Sequence, residues 1–341
     1  MTGKEQAENL PAVSVPLPWH DTDWQALLPL IATQRLPHAL LLSGAAHTGK
    51  SAFALALARY LLCEAQTGTA NCGECHPCQL SAAGSHGDLL WVEPQENSKV
   101  VKIDQVRHAV TFTHGTASFG DNKVLVFAPA NAMNVNAYNA LLKSLEEPSA
   151  GTYLLLVCDS LQGIPATIRS RCHQLHLRSP DLEAATQWLV GCTGDEALAR
   201  QALALTDGKP VLAQSLYLEN RLEDFGRQKL AMRRLFTGEA PLPEISQALC
   251  EQEPEAFVML YLGELQRAVR TLRASQLASE QGRKLFELLD TAQSMQRALQ
   301  AGANPGRQLV LDLFLSKSHR VLGASQHGGK IIPVHTGGSN V

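Results

Sequence analysis

Ala39-Leu40-Leu41-Leu42-Ser43-Gly44-Ala45-Ala46-His47-Thr48-Gly49-Lys50-Ser51 is the stretch from which the fold is read. Its apolar run Ala39–Leu42 predicts a buried strand, and the Ala- and Leu-rich segment Ser51 to Leu62 predicts a helix. Between them, Gly44 to Ser51 completes the pattern G-x-x-x-x-G-K-[ST]. Gly44 and Gly49 let the backbone turn tightly, so that consecutive N–H groups point inward at phosphate oxygens. The helix N-terminus adds its positive dipole end. In such a loop Lys50 reaches the β- and γ-phosphates and Ser51 ligates Mg²⁺. A glycine turn without a ligand is the competing interpretation, and the agreement of motif and flanks weighs against it.

Twelve residues beyond Ser51 begin four cysteines, Cys63, Cys72, Cys75 and Cys78, spaced C-x8-C-x2-C-x2-C. Thiolates at C-x2-C spacing converge on one ion at Zn–S distances of about 2.3 Å. Gly73 and Pro77 suit the turns of such a knuckle, and Cys63 ends the predicted helix. Four sulfurs leave no open position, so the expected Zn²⁺ is structural. His76 and His86 are competing ligands, and a disulfide pair is the alternative chemistry. No secretory signal is visible, which favours reduced thiols in the cytoplasm. Cys158, Cys172, Cys192 and Cys250 are scattered and read as free thiols.

The 341 residues suffice for two or three domains, with 45% hydrophobic residues for their cores. No apolar run is long enough for a membrane span. A net charge of −3 argues against a chain that holds nucleic acid through bulk charge alone. Apolar runs at Leu89–Val92, Val124–Phe127 and Tyr153–Val157 alternate with helical patterns near Ile103–Thr111 and Val135–Leu145, the rhythm of a parallel sheet covered by helices. A turn and helix precede them from Trp19 to Thr33. After Pro180 the pattern is helical throughout.

Two further features bear on function. In phosphate-loop ATPases a second strand ends in an acid that holds Mg²⁺ and polarises the attacking water. Here Val124–Phe127 runs into Ala128-Pro129, which can do neither. Glu93 and Asp159, at the ends of the neighbouring strands, are the substitutes to consider. Ser170-Arg171-Cys172 lies at the edge of the α/β region, where an arginine can reach a neighbouring subunit or close an intramolecular salt bridge.

The phosphate loop, the cysteine insertion, Ile103-Asp104-Gln105-Val106-Arg107, Asn139 to Pro148 (NALLKSLEEP) and Ser170-Arg171-Cys172, in this order, resemble the bacterial sliding-clamp loader family of AAA+ proteins. The resemblance is dense from Trp19 to Pro180. It implies an AAA+ α/β domain at 17–178 carrying the zinc insertion 63–78, a helical lid at 179–220 and an all-α collar at 221–322 that closes a five-subunit ring. Residues 1–16 are expected to be loose and 323–341 disordered. The family's tau and gamma motor subunits keep the acidic pair missing at Ala128-Pro129, a threonine where Cys158 stands, and a sensor arginine near Gly208–Leu212. The resemblance is therefore to a non-motor subunit, a stator with little ATPase activity of its own within the DNA polymerase III holoenzyme. It implies that Arg171 is an arginine finger offered to ATP on a motor subunit. The implied partners are tau/gamma, delta, the sliding clamp and primed DNA, at the replisome on the nucleoid. Some non-motor members have a degraded loop. The intact one here implies ATP or ADP held with Mg²⁺ without efficient turnover. Two other classes stay open: an active motor using Glu93 or Asp159, and a zinc-dependent nucleic-acid module, for which Lys99 and Lys102 are the nearest downstream cations.

Overall fold

A computed structural model describes residues 11–95, 98–300 and 302–323. Of the segments expected to be loose (1–16) or disordered (323–341), residues 1–10 and 324–341 lie outside them. The chain divides into two compact units, 1–215 and 216–341.

The first unit opens with a 3-10 turn at Pro18–His20 and α1 at Asp21–Ala32. Strand β1 (Ala39–Ser43) leads through the phosphate loop into α2 (Lys50–Leu62), and α3 (His76–Ala82) follows within the cysteine insertion. Next come β2 (Leu89–Val92), α4 (Ile103–His114), β3 (Lys123–Phe127), α5 (Val135–Glu146), β4 (Thr152–Cys158), α6 (Ala166–Arg169) and β5 (His173–His176). Helices α7 (Leu182–Thr193), α8 (Glu196–Leu205) and α9 (Pro210–Leu218) end this part of the chain.

The five strands form one sheet in the order β2-β3-β4-β1-β5, every pair parallel. Parallel strands need crossovers, and the intervening helices cover both faces, which is why β1, β3 and β4 are apolar along almost their whole length. One face packs Leu41, Leu125 and Leu156 against Val106, Tyr138 and Leu141 of α4 and α5. The other packs Leu40, Leu42 and Val126 against Phe53 and Leu57 of α2 and Trp24 of α1. Trp24 also donates its indole N–H to Thr69 O at 2.8 Å, tying α1 to the cysteine insertion. The register sets Ser43 beside Cys158 and His176, so the ends of β1, β4 and β5 open on the same edge. In open α/β sheets ligands bind at this carboxyl edge.

Sequence patterning does not reveal β5. Its His173, Gln174 and His176 are exposed, as befits a polar edge strand held by its backbone bonds to β1. From Pro11 onward the N-terminal segment accepts hydrogen bonds from Arg59.

Among its described residues the second unit is all helical: α10 (Leu222–Thr237), α11 (Leu242–Leu249), α12 (Pro254–Arg270), α13 (Ala274–Leu277), α14 (Glu280–Gln300) and α15 (Arg307–Gly323). Tyr261 is at its centre, packed on Phe236, Phe257 and Phe314. Its hydroxyl lies 2.7 Å from Ser318 Oγ. Glu264, 3% exposed, is paired with Lys229 and Arg233.

Candidate nucleotide cleft, cysteine knuckle and exposed arginine

The phosphate loop bends where the sequence requires glycine. A Cβ on Gly44 would lie 2.4 Å from the backbone oxygen of Leu177, which cannot yield. Gly49 adopts φ +93°, a left-handed conformation open to glycine at little cost. Lys50 then starts α2 with its side chain only 4% exposed. Its ammonium donates to Ala45 O at 2.5 Å and pairs with the Asp159 carboxylate at 2.6 Å.

A cleft of about 800 Å³ opens over this loop, lined by Lys50, Ser51, Glu93, Asp159, Trp91 and Trp188 among others. Ala128 and Pro129 line it too, so the end of β3 faces the cradle without an acid. Both carboxylates named as substitutes, Glu93 and Asp159, reach the same cleft. Of these, Asp159 is the one bonded to Lys50. Cys158, just before it, is buried, and burial pushes its thiol up to about 11, so it stays protonated and apolar.

Leu17 lines the cleft, and Trp19 and His20 follow it in the chain. Trp19 donates its indole N–H to Thr48 O at 2.9 Å, and Leu17 covers Gly49. His20 is fully buried edge-on against Phe53, and burial lowers its pKa from 6.5 to about 4. It is therefore neutral at physiological pH. Burial, with Lys209 next, lowers that of His47 as well.

The four cysteines converge. Their sulfurs all lie within 4.8 Å of one another, with Cys63–Cys75 and Cys72–Cys78 both at 3.9 Å. Four thiolates at about 2.3 Å from one ion stand about 3.8 Å apart, so the set fits a tetrahedral zinc. Backbone N–H groups point at the sulfurs: Cys72 N–H at Cys63 Sγ (3.2 Å) and Cys75 N–H at Cys72 Sγ (3.3 Å). The N–H groups of Cys75 and Glu74 lower the Cys72 thiol to about 6, whereas burial raises that of Cys63 to about 12. His76 and His86 belong instead to an aromatic cluster around Phe119.

A support for this knuckle escapes sequence reasoning. Arg59, 1% exposed on α2, donates to Pro11 O (2.6 Å), Ser14 Oγ (2.6 Å), Ala12 O (2.8 Å), Ser81 Oγ (3.0 Å) and Cys78 O (3.4 Å). Asn71 accepts from Ser14 N–H and donates to Ala12 O and Cys78 Sγ. Residues 11–14 thus form a strap across the knuckle, continuing to Leu17 at the cleft. The available signal is one arginine in the otherwise apolar run Ala52 to Leu62.

Arg171 sits between α6 and β5, its side chain 36% exposed. The guanidinium pairs with Glu146, the last residue of α5, through Nε at 2.7 Å and Nη2 at 2.5 Å. Nη1 donates to Thr167 O and Ser170 Oγ. The intramolecular salt bridge weighed from the sequence is therefore formed in the isolated chain. Cys172, beside it, is buried, its thiol pushed up to about 12 by burial. It anchors the motif in the core and has no part in chemistry at the surface.

Among the described residues no helix is long and apolar enough to cross a membrane. Comparison with known proteins places these features. A family model described as "DNA polymerase III, delta subunit" matches residues 19–181. The DNA polymerase III subunit delta' of Pseudomonas aeruginosa is 44% identical over 202 residues, 59% of this chain and 61% of that protein. Its counterpart from Escherichia coli K12 is 36% identical over 203 residues, 59% of this chain and 60% of that one. The tau subunit of Salmonella typhimurium is 33% identical over 171 residues, 50% of this chain and 26% of that protein. A DNA polymerase III gamma-subunit-related protein from Thermotoga maritima superposes with a TM-score of 0.51 at 15% identity, covering 87% of this chain and 98% of that one; it speaks for the fold alone. The match spans about three fifths of the length of the curated delta' relatives. Residues 19–181 are thus similar to the DNA polymerase III delta-subunit family, with delta' subunits among the relatives, on a parallel-sheet fold shared with the gamma-related protein.

Proposed function

We propose that this chain is a delta'-type stator of the DNA polymerase III clamp loader, which binds nucleotide without efficient hydrolysis and supplies Arg171 to ATP on a neighbouring motor subunit. The observation that carries the reading is the end of β3: an intact phosphate loop faces Ala128-Pro129, where hydrolysis would need an acid. Gly44, Gly49, Lys50 and Ser51 hold the phosphates of ATP or ADP with Mg²⁺. Cys63, Cys72, Cys75 and Cys78 hold a structural zinc, which pins the loop after α2 in place. Residues 179–220 act as lid and 221–322 as collar, joining tau/gamma and delta in a five-subunit ring. Through that ring the chain helps load the sliding clamp on primed DNA, in the cytoplasm.

The Arg171–Glu146 pair is compatible with a finger. A half-exposed ion pair is worth about 0–1 kcal/mol, so a triphosphate presented by a neighbour can displace it at small cost. Guanidinium then meets two phosphoryl oxygens and neutralises charge developing in the transition state. Arg171→Ala in a reconstituted loader is expected to leave assembly intact and to lower DNA-stimulated ATPase by about 10³-fold at the site it serves. Undiminished ATPase and clamp loading would remove the finger assignment.

A second reading rests on Asp159 and Glu93, which both reach the cleft: the chain hydrolyses ATP itself, as a motor. DNA-stimulated turnover by the isolated chain, abolished by Lys50→Ala, would establish it in place of the stator.

A further inference from the structure

We propose that Asp159 is a built-in anion that competes with the terminal phosphate of a nucleotide for Lys50, so that the cradle selects a nucleoside diphosphate over a triphosphate. This rests on the nucleotide-binding reading of the phosphate loop and adds the ligand's charge state to it.

The geometry carries the inference. Lys50 is the cation a phosphate loop sends to the β- and γ-phosphates. Here its ammonium, 4% exposed, is already engaged by the loop's own Ala45 O at 2.5 Å and by the Asp159 carboxylate at 2.6 Å. Asp159 follows β4, which pairs with β1, so the sheet register fixes the carboxylate at the carboxyl edge beside the loop. It reaches Lys50 across a space that β3 does not contest, because Ala128 and Pro129 bring no charge there. The Asp159 side chain is 54% exposed and lines the cleft, so little desolvation opposes its pairing with Lys50.

A phosphate arriving at Lys50 therefore meets an anion already bound. Two anions sharing one ammonium repel, and the repulsion grows with the charge of the incoming group. A diphosphate brings its terminal group to the β position and can share Lys50 with the carboxylate. A triphosphate must also seat the γ-phosphoryl beside Asp159, or displace it. At partly exposed sites such terms amount to roughly tenfold in affinity. Glu93, the cleft's other carboxylate, adds to the same bias.

The test is equilibrium binding of ADP and of ATP to the full chain by calorimetry, with and without Mg²⁺, for the wild type, Asp159→Asn and Lys50→Ala. The asparagine keeps the shape and hydrogen-bonding reach of aspartate and removes its charge; a thermal melt checks that it folds. The expected result is ADP bound roughly tenfold tighter than ATP by the wild type, and a ratio near one in Asp159→Asn, the change coming from tighter ATP. Lys50→Ala is expected to bind neither. An unchanged ratio in folded Asp159→Asn overturns the selector while leaving the nucleotide site standing. Weaker ATP binding by Asp159→Asn in Mg²⁺ also overturns it, since the carboxylate would then be a metal ligand. No binding of either nucleotide by wild type or Asp159→Asn refutes the nucleotide site itself.

Discussion

Arg59→Met removes the guanidinium and keeps most of the aliphatic stem, so it tests whether the strap over the cysteine knuckle is held by charge. Five hydrogen bonds end at this side chain, four of them at 3.0 Å or less. Hydrogen bonds to a charged donor are worth about 1.5–3 kcal/mol each in mutational series. The sum is an overestimate, because the guanidinium was itself desolvated on burial and the strap carbonyls of Pro11 and Ala12 regain water on release. Ser81 Oγ and Cys78 O stay in the interior, and their desolvation is not recovered. A net loss of about 3 kcal/mol follows. All four tryptophans, Trp19, Trp24, Trp91 and Trp188, lie in the first unit, so urea unfolding followed by their fluorescence reports on that unit alone. Hydrogen exchange at residues 11–17 reports on the strap, which should open in the variant and expose Leu17's side of the cleft. A loss below about 0.5 kcal/mol with unchanged exchange would show that Asn71 and packing suffice, and that the buried charge is incidental.

Two further outcomes can be checked on the same chain. His20 has its pKa lowered from 6.5 to about 4 by burial, so between those values the unfolded chain binds more protons than the folded one. Stability should therefore rise with pH across this window and fall on acidification, by about 2 kcal/mol after allowing for solvent screening. His20→Leu should flatten that slope in urea unfolding at pH 4.5 and pH 7, and an unaltered slope would assign it to other groups. The cysteine cluster should retain one zinc per chain by elemental analysis after purification without chelator. Its removal should lower the melting temperature of the first unit by several degrees, at about 2–4 °C per kcal/mol for a unit of this size. Metal-free protein with an unchanged melting curve would make the cluster four unrelated thiols.

How much of this was legible in the sequence depends on how local each cause is. The loop between β1 and α2 is written in consecutive residues, because glycine, lysine and a helix start must adjoin to cradle a phosphate. The cysteines are legible for the same reason: three fall within seven residues, and the fourth caps α2. Strand β5 is not, since an edge strand with exposed His173, Gln174 and His176 needs no apolar alternation to pair. Helix α3 hides inside the cysteine spacing, too short at His76–Ala82 for a periodic signal.

Charge pairing is the least legible layer, because the partners are chosen by which chain ends the fold makes neighbours. Asp159 and Glu93 both stand at strand ends and look equivalent as candidate acids. The sheet order β2-β3-β4-β1-β5 separates them: β4 adjoins β1 and β2 does not, and Asp159 rather than Glu93 meets Lys50. The same logic governs Arg171. Its partner Glu146 lies 25 residues earlier and looks, in sequence, like an ordinary helix end. Both pairs occupy a cation to which the proposed function gives a nucleotide: Lys50 in this chain's own cleft, Arg171 in a neighbour's. In both pairs the carboxylate is about half exposed, whereas Lys50 is buried and Arg171 is not. An acid at the end of β3 would compete with Asp159 for Lys50. Ala128 and Pro129 bring no charge to that position, so Asp159 meets Lys50 without a competing carboxylate from β3, and the pair follows from this local sequence together with the β1–β4 register.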